Sequence, residues 1–217
     1  MFITFEGIEG SGKSTQVKLL AEWLTQRGVP CVITREPGAT PIGARIRALL
    51  LDPASRDLVA DAELLLYLAD RVQHLKTLIL PALEAGNIVI SDRYADATLV
   101  YQGYARGIDP DRILDLHRRL CGGFDPDRTF LLDLPVAEGL FRAQRALDDG
   151  ERSKRESRFE QEAIEFHENV RSGYLTVARM HPKRFTIVDA TRSPEEMQTI
   201  VRNEVDRLLN HPNRSAP

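Results

Sequence analysis

The run Gly7-Ile8-Glu9-Gly10-Ser11-Gly12-Lys13-Ser14 has the spacing G-x-x-x-x-G-K-[ST]. Glycines admit backbone angles that turn successive N–H groups toward one point, as a phosphate requires. Lys13 brings a compact positive charge to the β- and γ-phosphates of a nucleotide, and the Ser14 hydroxyl reaches Mg²⁺. The expected phosphate contacts are Gly7, Gly10, Ser11, Gly12, Lys13, Ser14 and Thr15. A second reactive pair, Asp92-Arg93, closes the apolar run Ile88-Val89-Ile90. At the end of a buried strand, Asp92 suits magnesium held through water, and Arg93 suits a clamp on transferring or acceptor phosphates. A structural salt bridge is the other use of such a pair.

Two further groups share helical spacing. Tyr67 and Arg71 are four residues apart, so a ring and a guanidinium stand side by side on one face. Such a pair can stack on a base and bond its edge; from the residues alone, a core tyrosine beside a solvated arginine is the simpler reading. Thr98, Tyr101 and Gln102 also fall on one face of a short helix. Between Leu140 and Phe159, Arg142, Arg145, Arg152, Lys154, Arg155 and Arg158 alternate with acids. A charge run is usually a solvated face. Yet phosphoryl transfer between two anions needs positive charge at the moment of reaction.

These residues need elements to position them. Phe2 to Phe5 reads as a strand, residues 7–14 as a loop, and Ser14 to Gln26 as a helix stopped by Gly28. Val29 to Thr34 is a second strand, and Thr40-Pro41 caps a helix over 41–50. Asp61 to Leu80 reads as a long amphipathic helix, with Pro81 marking its disruption or a kink. Asn87 to Ser91 is a strand, Asp109-Pro110 opens a helix ending near Gly122-Gly123, and Arg128 to Leu134 is a strand with a helix from Pro135. Phe159 to Met180 is helical, Arg184 to Asp189 a strand, and Ser193-Pro194 opens the last helix. Strands alternate with helices and their apolar runs are continuous. This predicts a doubly wound α/β domain with about five parallel strands, covered on both faces.

The chain has 217 residues, which favours one domain, here spanning 1–210 with residues 211–217 a disordered tail. A net charge of −3 argues against a nucleic-acid polymer or a membrane surface as partner. Cys31 and Cys121 are far apart in apolar stretches, consistent with reduced thiols and a cytoplasmic location. The apolar start Met1 to Phe5 runs at once into Glu6 and the glycine loop, so it reads as a strand rather than a secretion signal. No asparagine is followed by lysine, so the N-K-x-D guanine signature of a GTPase switch is absent.

Four segments taken together resemble bacterial thymidylate kinases: Glu6 to Thr15, then Thr34-Arg35-Glu36-Pro37-Gly38-Ala39-Thr40, then Asp92-Arg93-Tyr94, then Tyr101-Gln102-Gly103. The resemblance implies a P-loop nucleoside monophosphate kinase fold. It also implies phosphoryl transfer from ATP to dTMP with Mg²⁺ held at Ser14 and Asp92, and a homodimer. It assigns Glu9 to the deoxyribose 3′-hydroxyl, Arg47 and Arg93 to phosphate, and Tyr67 to stacking on thymine, where phenylalanine is usual. Arg71 would donate to thymine O4, Thr98 and Gln102 would lie near base and sugar, and Tyr101 would crowd the 2′ position. The loop Ala190-Thr191-Arg192 would meet adenine. Related eukaryotic enzymes carry an arginine inside the P-loop, which is absent here; the resemblance therefore places a catalytic cation in a lid over about 142–158, at Arg152, Arg155 or Arg158. Arg158-Phe159-Glu160 fits the family best, although Ser157 stands where aspartate is common. Other acceptors (dUMP, UMP or AMP) and a non-catalytic ATP-binding module are the rival readings. Pro37 after Glu36 marks a tight turn where a cis bond is open to the chain.

Overall fold

The computed structural model describes residues 1–150 and 157–210. Among them, five strands make one sheet: β1 (Phe2–Glu6), β2 (Cys31–Arg35), β3 (Ile88–Asp92), β4 (Arg128–Asp133) and β5 (Phe185–Asp189). Their order is β2-β3-β1-β4-β5, and every neighbouring pair is parallel. The helices are α1 (Lys13–Gln26), α2 (Pro41–Leu51), α3 (Ala60–His74), α4 (Leu80–Glu84), α5 (Ala95–Thr98), α6 (Pro110–Cys121), α7 (Val136–Asp148), α8 (Ile164–Met180) and α9 (Pro194–Asn210). The central strand β1 is buried along its whole length, with Phe5 stacked on Phe130 of β4 at 5.2 Å. Burial on both faces is why its side chains are continuously apolar rather than alternating. The edge strands differ, since Ile33 of β2 and Ile187 of β5 are half exposed.

Helix boundaries follow local chemistry. Thr40 accepts the Gly43 N–H at 2.9 Å and Pro41 occupies the first turn of α2. Asp109 caps α6 by accepting from Asp111 N, and Gly122, at φ 68°, stops it. Ser193 and Glu196 bond each other's backbone N–H groups in a capping box ahead of α9.

Three elements differ from the sequence reading. The helix expected to break near Pro81 instead continues as a π-helical segment (Leu75–Ile79) and then α4, with Pro81 in the first turn of α4. A wider turn shifts the hydrogen-bond partners just where proline supplies no N–H. The face carrying Thr98, Tyr101 and Gln102 is α5 continued by a second π-helical segment, Leu99–Ala105. Finally, Phe159–Gln161 is a 3₁₀ turn and α8 begins only at Ile164. The turn is held from outside, because Arg158 N–H donates to the Leu51 carbonyl and Phe159 packs edge-on against Tyr101.

Cys31 and Cys121 are free thiols. No helix among the described residues is long and apolar enough to cross a membrane. The expected tail over 211–217 lies outside the described residues.

The Thr40 cap anchors the helix that carries Arg47. Thr40→Ala is expected to lower stability by about 1 kcal/mol and Thr40→Ser far less. Urea denaturation checks this, as a shift in midpoint at constant slope.

Candidate active site

The C-terminal ends of β1, β2 and β3 open into one cavity of about 720 Å³. Position at this edge is a property of the parallel sheet, whose helices retreat on either side of β1. The P-loop joins β1 to α1 at one end of it. Gly7, Gly10 and Gly12 all have positive φ, and a Cβ at Gly10 would collide with the Gly139 carbonyl of α7. Gly10 to Thr15 line the cavity, while Gly7 lies behind and accepts from Lys13. Lys13 Nζ also donates to the Ile8 carbonyl at 2.7 Å and to Ser11 Oγ at 3.3 Å. Burial, with Arg93 nearby, brings the Lys13 ammonium down to about 8. Ser14 Oγ donates to Asp92 Oδ2 at 2.6 Å.

Arg93 stands at the middle of the cavity with φ 72°, the one non-glycine residue in the left-handed region among those described. Its N–H donates to Phe5 O and its carbonyl accepts from Ser91 Oγ. Its guanidinium donates to Tyr174 Oη (2.9 Å), Tyr101 Oη (2.9 Å) and Glu9 Oε1 (3.0 Å). Burial opposes its charge, but Tyr101, Tyr174 and the carboxylates hold it well above the usual arginine range. Arg93 is thus ion-paired with Glu9 rather than with its neighbour Asp92, which accepts from Ser14, and its side chain lines the cavity.

Glu9 is nearly buried and also receives the Tyr101 hydroxyl at 2.6 Å. Burial alone would raise its carboxyl; His167, 3.5 Å away, with Arg93 and Lys13, holds it well below the usual range. Behind this cluster, Glu6 accepts from Tyr94 N–H at 2.8 Å and from the Tyr174 hydroxyl at 2.7 Å. Burial and the nearby Asp96 push Glu6 up to about 7.

The far end of the cavity is built on α3. Tyr67 and Arg71 line it together, as their spacing predicts, but Arg71 is buried rather than solvated. Arg71 pairs with Glu36 at 2.6 Å and donates to Thr98 Oγ1 at 2.5 Å. Burial disfavours its charge, yet Glu36 raises it above the usual value. Burial also raises the Tyr67 phenol. Gln102 donates to Glu63 Oε1 at 2.8 Å. Arg47 on α2 lines the wall and donates to the Pro37 carbonyl at 2.9 Å, next to a cis Glu36–Pro37 bond. Glu9, Arg47, Tyr67, Arg71, Arg93, Thr98, Tyr101 and Gln102 thus all reach the same cavity.

The lid residues part company. Arg152 and Arg155 lie outside the described residues. Arg158 is buried, 2.6 Å from Glu63 Oε2 and 3.0 Å from the Leu50 carbonyl, and does not line the cavity. Ser157 is buried beside it and accepts from Gln161. Arg142 does line the cavity, paired with Glu138 and donating to the Ala190 carbonyl at 3.1 Å. That bond ties α7 to the Ala190-Thr191-Arg192 loop after β5, where Thr191 is held by Asp189.

Glu6, Glu36, Glu63, His74, His167 and Tyr174 carry the site yet were not singled out as site residues by the sequence. Glu6 and Glu36 lie inside motifs that drew attention for other residues; the rest sit in helix stretches where periodicity reads only as core. Ser14 and Asp92 form a hard-oxygen pair suited to Mg²⁺. Among the described residues no group of three or more His, Cys, Asp or Glu could hold a metal.

A P-loop at the C-terminal edge of a five-stranded parallel sheet, facing a second set of cations across one cavity, defines a nucleoside monophosphate kinase. The thymidylate kinase family matches residues 5–201, and this chain belongs to it. A thymidylate kinase of Nitratidesulfovibrio vulgaris is 51% identical over 99% of this chain and 100% of its own length. One from Desulforapulum autotrophicum is 52% identical over 96% and 92%. The crystal structure of thymidylate kinase from Ehrlichia chaffeensis superposes with a TM-score of 0.75 at 35% identity, covering 95% of this chain and 98% of that one.

Folding favours neutral Glu6, whose value lies near 7 against 4.5 unfolded. Its contribution to stability is therefore complete below about pH 4.5 and is lost as pH rises through 7. Glu6→Gln mimics the neutral form. Its stability relative to the parent should rise by about 1 kcal/mol or more between pH 5 and pH 8. Urea denaturation at both pH values checks this, and a flat difference would show that Glu6 titrates normally.

Proposed function

We propose that this chain transfers the terminal phosphate of ATP to the 5′-phosphate of dTMP, giving ADP and dTDP. The observation that carries this reading is a single cavity with the P-loop at one end, Tyr67 and Arg71 at the other, and Arg93 between them. A nucleotide sensor needs only the first end. On this reading Lys13 and the loop N–H groups hold the donor phosphates, and Arg47 and Arg93 hold the acceptor phosphate. Tyr67 stacks on the thymine, Arg71 donates to its O4, and Thr98 and Gln102 bound base and sugar. Glu9 meets the 3′-hydroxyl, and Tyr101, locked between Glu9 and Arg93, closes the 2′ side against a ribose.

An oxygen of the acceptor phosphate attacks the γ-phosphorus while the bond to the β–γ bridging oxygen breaks, and ADP departs with that oxygen. The acceptor oxygen is already anionic, so no general base is required. Positioning and charge neutralisation supply the acceleration. Arg93 is fixed by three bonds before substrate arrives, so it needs little reorganisation as charge moves between the phosphates. Mg²⁺, held by Ser14 and Asp92, would neutralise phosphate charge. A further cation from the lid, Arg152 or Arg155, belongs to the same proposal, as do a cytoplasmic setting and a homodimer; Arg158, expected as a third candidate, is held away from the cavity by Glu63 and the Leu50 carbonyl. Exposed Leu65 on α3 and Leu114 on α6 are apolar surface of the kind pairing covers.

Coupled ADP release with ATP and Mg²⁺ should show strong preference for dTMP over dUMP, UMP and AMP. Preference for another acceptor would keep the kinase and remove the thymine assignment; no turnover with any acceptor would leave a binding module. Lys13→Ala should remain folded by circular dichroism and lose about 100-fold or more in kcat. In the parent enzyme, free Lys13 loses its proton near pH 8, whereas bound phosphates favour the charged form. The KM for ATP should therefore climb as pH rises above 8, more steeply than kcat falls.

A further inference from the structure

Behind the base end of the cavity runs a line of four buried side chains: Thr34, His74, Glu36 and Arg71. Thr34 Oγ1 and His74 Nε2 are 2.6 Å apart. His74 Nδ1 lies 3.5 Å from Glu36 Oε2, and Glu36 Oε1 lies 2.6 Å from Arg71 Nε. His74 is fully buried, and none of the four is more than 6% exposed. Secondary structure sets the order. Arg71 and His74 are three apart on α3 and so lie one above the other on one face. Glu36, just past the end of β2, lays one carboxylate oxygen against each of them.

This arrangement decides which part of Arg71 is free. Nε faces Glu36, and Nη2 donates to Thr98 Oγ1 and the Tyr94 carbonyl. Nη1 is buried, has no hydrogen-bond partner among the described residues, and belongs to a side chain that lines the cavity. The guanidinium is planar, so anchoring Nε and Nη2 also aims Nη1. The aim is only as good as the anchor. At 3.5 Å His74 Nδ1 faces Glu36 Oε2, which makes no hydrogen bond among the described residues; without the ring the carboxylate would be free to turn. In a neutral ring, a proton on Nδ1 donates toward Glu36 and leaves Nε2 to accept the Thr34 hydroxyl.

We propose that His74 is the positioning residue of base selection: oriented by Thr34, it fixes Glu36, and Glu36 fixes Arg71 Nη1 as a donor to the acceptor base. The inference rests on the reading that a pyrimidine monophosphate is the acceptor at this end. A base with a carbonyl oxygen opposite Nη1 completes the bond. A base with an amino group there sets donor against donor and leaves a buried guanidinium N–H unpaired, the arrangement that discriminates most strongly between similar ligands. His74 touches neither base nor phosphate; it acts through two other side chains.

The test is steady-state kinetics at saturating ATP with three acceptors. These are dTMP, 5-methyl-dCMP (an amino group replacing the 4-oxygen) and the 5-methyl-pyrimidin-2-one deoxynucleotide (nothing at position 4). His74→Leu should raise the KM for dTMP about tenfold, move kcat by less than about threefold, and shrink the preference for dTMP over 5-methyl-dCMP about tenfold. The KM for the pyrimidin-2-one nucleotide should hardly change, since that acceptor cannot use Nη1. His74→Asn, which can place a donor near the Nδ1 position, should recover most of the loss. Thr34→Val should shift KM in the same direction by a few fold, and with His74→Asn it carries the test if His74→Leu does not fold. An equal loss with all three acceptors, or no loss at all, would overturn the proposal. A parent enzyme that turned over none of the three would instead overturn the proposed function.

Discussion

Two phosphate groups brought close enough to react repel one another, and a cation must already stand between them. In the proposed reaction Arg93, which lines the cavity, would take that position, and much of the surrounding structure bears on keeping its side chain in place. Its backbone sits at φ 72°, a conformation costing on the order of 1–3 kcal/mol for a non-glycine residue. The Phe5 carbonyl, Ser91 Oγ, two tyrosine hydroxyls and Glu9 together over-determine it. A loosely held arginine would have to be ordered during the reaction, with loss of most of the electrostatic advantage.

Burying such a cation has consequences for its neighbours. Arg93 helps hold Glu9 ionised, while its field also discourages the Lys13 ammonium, which burial already disfavours. Glu6 lies behind it, bridged to the guanidinium by Tyr174, and burial with Asp96 outweighs the pull of Arg93 and tips it toward the neutral form. Two glutamates three residues apart in sequence thus end with opposite tendencies, because Arg93, Lys13 and the hydrogen-bonding His167 and Tyr101 outweigh burial at Glu9, whereas at Glu6 burial and Asp96 outweigh Arg93 and its hydrogen bonds. This is environment, not residue type, setting charge.

The acceptor end is organised by α3. Glu63, Tyr67, Arg71 and His74 follow one another at spacings of four, four and three, a single stripe along the helix. Glu63 binds Gln102 from one side and Arg158 from the other, so the wall of the cavity and the end of the charged 142–158 segment share one carboxylate. Arg106 joins them, linking Glu63 to Glu162. The polar stripe is buried and nonetheless tolerable because each charge has an opposite partner.

The sequence by itself determined the parts whose physics is local. The P-loop, the strand-end Asp92-Arg93 pair, the caps at Thr40, Asp109 and Ser193, and the parallel architecture all follow from spacings within a few residues of one another. So does the pairing of Tyr67 with Arg71 on one helix face. The resemblance to known kinases then gathered the distant motifs into one site, and the cavity contains all eight acceptor residues it implied. Only the tertiary structure decided that Arg71 is buried, that Arg158 is spent on Glu63, that a π-helical segment precedes Pro81 and α4 carries the chain through it, and that Glu6, His74, His167 and Tyr174 surround the cavity residues. The reason is one of range. Those roles depend on partners tens of residues away in the chain, and a buried histidine or tyrosine on an apolar face looks like core until the group opposite it is known.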